Sequence, residues 1–298
     1  MYILITGGTG FIGTALCQEL INQGHYLTVL TRQSLTAQEA VSYCQNLADF
    51  QDLNQFDAVI NLAGEPIFDK PWTDQQKQKL LSSRLNITEQ LVELFHKSEQ
   101  PPHTFISGSA TGFYGDLGFT KKYDEQTACG TKFPALLCQQ WEETALQAES
   151  SQTRVCLVRT GIVLGPTGGA LQKMLPLYKF GLGGKLGNGK QHWAWISRND
   201  HIRTILFLLN NKQSQGAYNL VAPNSISNAD FNQQLAKALK RPAFFNVPSF
   251  LLKLGLGERS QLLLDNQPLI PQRLMDEGFE FQHHTLGEYL SNTFLSIK

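Results

Sequence analysis

At 298 residues the chain has room for one large domain, or for one domain carrying a smaller lobe. An apolar share of 42% supports a real core, and 25 Lys plus Arg against 25 Asp plus Glu leave no net charge. That balance argues against a nucleic-acid partner and against an anionic membrane, although it does not exclude a local patch. Cys17, Cys44, Cys129, Cys138 and Cys156 are odd in number and far apart, without a C-x-x-C, so neither a disulfide framework nor a metal site is expected. Reduced thiols, no basic leader before the first strand and no apolar run of membrane-spanning length point to a cytoplasmic protein.

Residues 2–5 are an apolar run with the pattern of a buried strand. Thr6-Gly7-Gly8-Thr9-Gly10-Phe11-Ile12-Gly13 follows, then a helical spacing of Leu16, Leu20 and Ile21 that Gly24 stops. Glycines between a strand and a helix are informative: Gly8-x-Gly10-x-x-Gly13 fits the dinucleotide fingerprint, and Gly7-x-x-Gly10-x-x-Gly13 its short-chain variant. One glycine makes the turn and one lets the backbone approach a pyrophosphate. Gly13 lets the helix lie close to the strand, and the helix N-terminus attracts the phosphates. The second strand, Tyr26–Leu30, ends in Thr31-Arg32. An acid there would bind the 2′-hydroxyl of NAD, whereas an arginine suits the 2′-phosphate of NADP(H); no Asp or Glu follows before Glu39.

A reduced third strand is expected near Leu47. Residues 57–64 read as a strand whose glycine end points at the cofactor, since open parallel sheets bind ligands there. Thr73 and Gln76 resemble a capping box at the start of a long helix, residues 73–97, with apolar faces for the sheet or for a second subunit. Arg84 interrupts those faces, either as a phosphate partner or as an exposed arginine. A strand at 103–107 runs into the hydroxyl cluster Ser107-Gly-Ser109-Ala-Thr111-Gly-Phe-Tyr114-Gly115. A helix at 133–150, containing Trp141, and a strand at 154–164 complete the repeat. Strand and helix in alternation predict an α/β fold, a Rossmann-like doubly wound parallel sheet.

The glycine-rich stretch 181–189 and the aromatics His192, Trp193 and Trp195 suggest a substrate-covering loop or a structural hairpin. A helix at 199–209, a strand at 216–221 and a serine-capped helix at 227–239 follow. Prolines and short helical patches at 250–254, 260–264 and 286–294 then make a smaller C-terminal substrate lobe. The expected division is 1–180 as the NADP-binding domain, with 197–222 returning to it, and 181–196 with 223–298 on the substrate side.

Together these residues resemble an extended short-chain dehydrogenase/reductase from residue 1 to about 221. The closer resemblance is to the atypical subgroup usually labelled nucleoside-diphosphate-sugar epimerases, which has a C-terminal extension. It is carried by Thr6-Gly-Gly-Thr-Gly-Phe-Ile-Gly13, Asn61-Leu-Ala-Gly-Glu-Pro66, Ser82-Ser-Arg84, Ile106-Ser-Gly-Ser-Ala-Thr-Gly-Phe-Tyr-Gly115 and Arg159-Thr-Gly-Ile-Val-Leu-Gly165. Gly187-Asn-Gly-Lys-Gln191, Asn219-Leu-Val-Ala-Pro223 and Pro268-Leu-Ile-Pro-Gln-Arg273 extend it to the tail. The resemblance implies an NADP(H) site made by Gly7, Thr9, Gly10, Phe11, Ile12, Gly13, then Thr31 and Arg32, Leu62, Ala63 and Gly64, Arg84 and Val163. It also implies a homodimer through the helices at 73–97 and 133–150.

The departures bear on chemistry. A typical extended reductase carries Tyr-x-x-x-Lys on the helix after Ser109; the tyrosine exchanges a proton with substrate, and the lysine lowers its pKa and binds the nicotinamide ribose. Aligning Trp141-Glu142 with the end of that motif puts Pro134 and Cys138 at the two positions, and neither can do the work. Ser197 and Asn199 stand where the subgroup shows a His and an Asp. The remaining candidates are Ser109, where the family serine bonds the substrate oxygen, and Tyr114 as a proton donor, with His192 as a third acid or base. Each also has a plainer role, as a capping hydroxyl, a packed aromatic or a structural histidine. Two functions stay open. One is an NADP(H)-dependent oxidoreductase or epimerase acting on a small molecule, a nucleotide sugar or related carbonyl or alcohol. The other is a non-catalytic NADP(H)-binding regulatory or redox-sensing protein.

Overall fold

In the computed structural model, which describes residues 1–295, strand and helix alternate as β1 (Tyr2–Thr6), α1 (Phe11–Asn22), β2 (Tyr26–Leu30), β3 (Val41–Cys44), β4 (Ala58–Asn61), α2 (Asp74–Lys97), β5 (Thr104–Ala110), α3 (Phe133–Leu146) and β6 (Arg154–Thr160). β7 (Ile162–Gly165), α4 (Gly169–Lys179), β8 (Gly184–Leu186), β9 (His192–Trp193), β10 (Trp195–Ser197), α5 (Arg198–Asn210) and β11 (Gly216–Leu220) come next. The tail holds β12 (Ile226–Ser227), α6 (Asn228–Leu239), β13 (Phe245–Val247), α7 (Ser249–Leu256), α8 (Gln261–Leu264), α9 (Gln272–Asp276) and α10 (Leu286–Leu295).

Seven strands form one parallel sheet in the order β11-β6-β5-β4-β1-β2-β3. The order reverses between β1 and β4, which pair with Thr6 opposite Asn61, so a crevice opens at the C-terminal ends of these two strands. Successive side chains of β1 serve opposite faces. Ile3 and Ile5 join Leu16 and Leu20 of α1 and Ile205 of α5, while Leu4 joins Leu91 and Phe95 of α2 and Ala145 of α3. The α/β, Rossmann-like architecture is therefore as expected. α2 starts where the capping pattern indicated: the Thr73 hydroxyl accepts a hydrogen bond from Gln76 N at 3.2 Å.

Several boundaries differ from the sequence reading. The third strand lies at Val41–Cys44, and Leu47 begins a helical turn capped by Asn46, whose side chain accepts from Ala48 N. The run at 154–164 is two strands, β6 in the main sheet and β7 paired with β10, divided at Gly161. The Gly161 backbone lies so close to Ala194 that a Cβ there would sit 3.0 Å from the Ala194 carbonyl carbon. α3 stops at Leu146, short of residue 150. α4 was not anticipated, because Gly169 opens it and Pro176 lies inside it, both poor helix formers. The stretch 181–196 is more ordered than a bare loop, since β8 pairs with β13 and β9 with β12. Among the described residues all five cysteines are free, no group of acids, histidines and cysteines could hold a metal, and no helix is long and apolar enough to cross a membrane.

Candidate cofactor and catalytic site

The glycine turn is built for close approach. Gly7 has φ +72°, and a Cβ there would lie 2.7 Å from the Leu62 carbonyl carbon. A Cβ on Gly13 would overlap the Gly7 carbonyl oxygen, so α1 can meet the turn only with glycine at that position. Gly10 N donates to Gly7 O at 3.0 Å, and Gly10 caps α1 with no side chain bonded to the first-turn N–H groups. Thr9 and Gly10 are exposed at the positive end of the helix dipole. Phe11 closes one side: Cβ atoms at Gly165 and Gly169 would fall 2.6 Å and 2.7 Å from its ring, and Arg198 stacks on it at 5.1 Å. Ile12 turns inward onto the core, which also contains Val163 of β7 and is touched by Leu62.

At the end of β2, Thr31 is buried and Arg32 is exposed. Thr31 N donates to Cys44 O at 2.9 Å and its hydroxyl accepts from Gln33 N at 3.2 Å, which fixes the strand end; Arg32 forms no ion pair among the described residues. At the end of β4, Ala63 N donates to the Thr6 hydroxyl at 3.2 Å, and that hydroxyl donates to Asn61 Oδ1 at 2.5 Å. Asn61 Nδ2 donates onward to Thr88 Oγ1 at 2.9 Å, and Trp141 Nε1 donates to the same oxygen at 3.0 Å. Thr88 passes its own proton to Arg84 O at 2.8 Å, so one hydroxyl uses its donor and both acceptor sites to join β4, α2 and α3. The Arg84 side chain returns to the same loop. Its guanidinium donates to Glu65 O at 3.0 Å, lies 3.0 Å from where a Gly64 Cβ would be, and faces the Trp141 ring at 5.3 Å. Burial lowers its pKa, with Cys138 and Glu65 pulling the other way. The structure thus gathers residues 7–13, Thr31 and Arg32, and residues 62–64 at three strand ends, with Arg84 entering from α2. The space a Cβ would fill, the uncapped helix donors and the exposed cation fit a phosphorylated dinucleotide.

The corner at β5 and β6 is organised differently. Ser109 Oγ donates to Glu142 Oε1 of α3 at 2.6 Å. Arg159 of β6 grips the same carboxylate with two bonds of 2.8 Å, from Nε and Nη2. Arg159 Nη1 donates to the Tyr114 hydroxyl at 2.9 Å, and Tyr114 donates to Asn219 Oδ1 of β11 at 2.6 Å. The Phe113 ring covers the guanidinium at 3.6 Å. Glu142 and Arg159 are only 4% and 6% exposed. Burial opposes the Arg159 charge, yet its bonds to Glu142 and Tyr114 outweigh that and hold its pKa above the usual arginine range. Burial pushes the Tyr114 hydroxyl up to about 12, Arg159 pulling the other way. Tyr114 is 2% exposed with its proton committed to Asn219, which weighs against the expected role of proton donor to a substrate.

Pro134 and Cys138, at the positions of the missing Tyr and Lys, lie against the Gly112 backbone, where a Cβ would be 3.4 Å from Pro134 Cβ and 3.8 Å from Cys138 Sγ. Burial pushes the Cys138 thiol up to about 12, so it stays neutral there. His192 is tied to Asn266 through its backbone N at 2.7 Å and its Nδ1 at 3.0 Å, a structural use of the ring. At Ser197 the tail supplies an imidazole instead: His283 Nδ1 lies 3.1 Å from Ser197 Oγ and 3.3 Å from Asp200 Oδ2. Sequence reasoning missed Glu142 and Arg159. The available clue was a charged side chain inside the apolar run 154–160, which requires a buried partner.

A family model described as "NAD dependent epimerase/dehydratase family" matches residues 3–221, and a "Domain of unknown function (DUF1731)" matches residues 247–293. An epimerase family protein of Mycobacterium leprae is 37% identical over 292 residues, covering 97% of this chain and 94% of the relative. One from Staphylococcus haemolyticus is 38% identical over 289 residues, covering 95% of each. Among solved structures, the human epimerase family protein SDR39U1 (isoform 2) with NADPH superposes with a TM-score of 0.92 at 33% identity, covering 100% of both chains. A nucleoside-diphosphate sugar epimerase from Corynebacterium glutamicum gives 0.78 at 28% identity, covering 99% of this chain and 58% of that one.

Proposed function

This chain belongs to the NAD dependent epimerase/dehydratase family, and from that premise we propose that it binds NADP(H) and uses it in hydride transfer to or from a nucleotide sugar or a related carbonyl or alcohol. The observation that carries the reading is Arg32, an exposed cation at the end of β2 with no acid beside it, next to an α1 N-terminus free of side-chain caps. The human relative in complex with NADPH supports it. When bound, the nicotinamide supplies or accepts the hydride. The protein's part is to hold the pyrophosphate on the N–H groups of Phe11 and Ile12, the 2′-phosphate on Thr31 and Arg32, and the remainder along Leu62, Ala63, Gly64, Arg84 and Val163. Ser109 Oγ donates a hydrogen bond to Glu142 and keeps acceptor capacity, which suits holding a substrate hydroxyl. A homodimer through α2 and α3 and a cytoplasmic location belong to the same reading; Leu136 and Leu146, 44% and 38% exposed on α3, support the former.

Fluorescence titration tests the cofactor. Arg32→Ala should weaken NADPH binding about tenfold, the scale of one lost charge-assisted contact, and leave NADH unchanged. Equal loss for both would remove the basis for NADP(H). A second reading, NADP(H) binding without catalysis, is favoured by Pro134, Cys138 and the committed Tyr114 proton. Turnover of any member of a nucleotide-sugar and carbonyl panel, lost in Ser109→Ala with NADPH affinity kept, decides for the enzyme. Tight NADPH binding with no turnover across the panel decides for the second reading.

A further inference from the structure

α7 is apolar apart from Ser249 and Lys253, with Phe250, Leu251, Leu252, Leu254 and Leu256 in eight residues, yet none of them is buried. A helix with that composition requires a cover. Phe250 and Leu254 are 65% and 82% exposed. The patch continues beyond the helix. Pro248 joins α7 to β13, β13 pairs with β8, and a Cβ on Gly181 would lie 3.3 Å from Pro242. Phe244 and Phe180, 82% and 80% exposed, stand next to these joined segments. Isolated exposed leucines need no explanation, but several exposed phenylalanines and leucines on joined segments do.

The charges around this patch are mostly of one sign, and the acid that follows α7, Glu258, is already paired with Lys77. Residues 160–199 and 231–257, which supply all of these elements, contain nine Lys and Arg and no Asp or Glu. The neutral total of the chain hides this separation. Lys179, Lys240, Arg241 and Lys253 are exposed beside the apolar side chains, and none forms an ion pair among the described residues. A second copy related by a two-fold axis through this patch would bring these unpaired cations against one another, the adjoining Glu258 being engaged by Lys77. The exposed members are Phe, Leu, Lys and Arg, with no Tyr or Trp among them. Apolar insertion beside unpaired cations is the composition of a surface that rests on lipid.

We propose that α7, β13 and the turn after α4 form a docking face for an anionic lipid surface, with Phe244, Phe250 and Leu254 entering the headgroup boundary and Lys240, Arg241 and Lys253 meeting the phosphates. No described helix crosses a membrane, so the attachment is peripheral and reversible. The expectation of no membrane partner rested on the balanced net charge and the lack of a spanning apolar run, and it left room for a local patch of this kind.

Co-sedimentation of the full chain with vesicles tests the assignment. Vesicles containing about one-third phosphatidylglycerol in phosphatidylcholine should bind at least about tenfold more protein than phosphatidylcholine alone, and about 0.5 M salt should release most of it. Phe250→Ser with Leu254→Ser should abolish binding. Lys240→Gln with Arg241→Gln should reduce it about thirtyfold, the effect of two phosphate-directed cations. Thermal melts matching the parent would show that the variants remain folded, as expected for exposed side chains. Absence of binding to anionic vesicles, or binding indifferent to both sets of substitutions, overturns the proposal. So does a concentration-dependent dimer, seen without vesicles, that Leu254→Ser dissolves, because the cover would then be a second copy.

Discussion

Two corners of the same sheet edge treat their polar groups in opposite ways. At the turn between β1 and α1, donors are left free: Gly10 brings no capping side chain and Arg32 stands exposed. Across the crevice, between β5, β6 and α3, the polar groups are consumed internally, with Ser109, Glu142, Arg159, Tyr114 and Asn219 bonded to one another. A ligand site needs groups whose partners are missing. A low-dielectric interior tolerates polar groups only when those partners are present. The first corner therefore has the character of a binding surface and the second that of a structural clamp, although the family resemblance placed catalysis at the second.

Substitutions can break this contrast or sharpen it. Glu142→Ala should have the largest effect, about 3–5 kcal/mol of lost stability, because it leaves the Arg159 guanidinium buried and uncompensated. Chemical denaturation measures it. Little loss of stability together with a large loss of turnover would make the clamp a catalytic device and reverse the contrast. Gly13→Ala comes next. Overlap with Gly7 O should cost about 1–3 kcal/mol, and displacement of α1 should lower NADPH affinity at least about tenfold in the same preparation. Affinity unchanged by Gly13→Ala would mean that the turn is not the binding corner. Tyr114→Phe should do least, about 1–2 kcal/mol, since Asn219 loses a donor and Arg159 an acceptor while the ring still packs. NADPH affinity should not move in this variant. A fall in turnover larger than its fall in stability would restore Tyr114 as a proton donor.

The contrast also explains what the sequence disclosed. The glycine turn depends on residues within eight positions of one another, so spacing alone revealed strand, turn, helix and cofactor class. The sheet followed because β1 and β4 are plain apolar runs. Glu142 and Arg159 are 17 residues apart on different elements, and only the packing of α3 against β5 and β6 brings them together. Nothing local marks them beyond one charge in an apolar strand. The split of 154–164 into β6 and β7 was hidden for a related reason: Gly161 is required by the distant Ala194 backbone, not by its neighbours. α4 stayed hidden because tertiary packing of Leu171, Leu175 and Tyr178 overrides an internal proline.

Thr88 adds a constraint of another kind. Because one hydroxyl receives Asn61 and Trp141 and gives to Arg84 O, it sets the spacing of three elements from a single atom, as a surveyor's pin does. Valine has nearly the same volume and would satisfy the packing, but it would strand two buried N–H donors. Serine alone among the other residues keeps an oxygen at that point. A single side-chain oxygen at position 88 thus fixes the distance of β4 from α3.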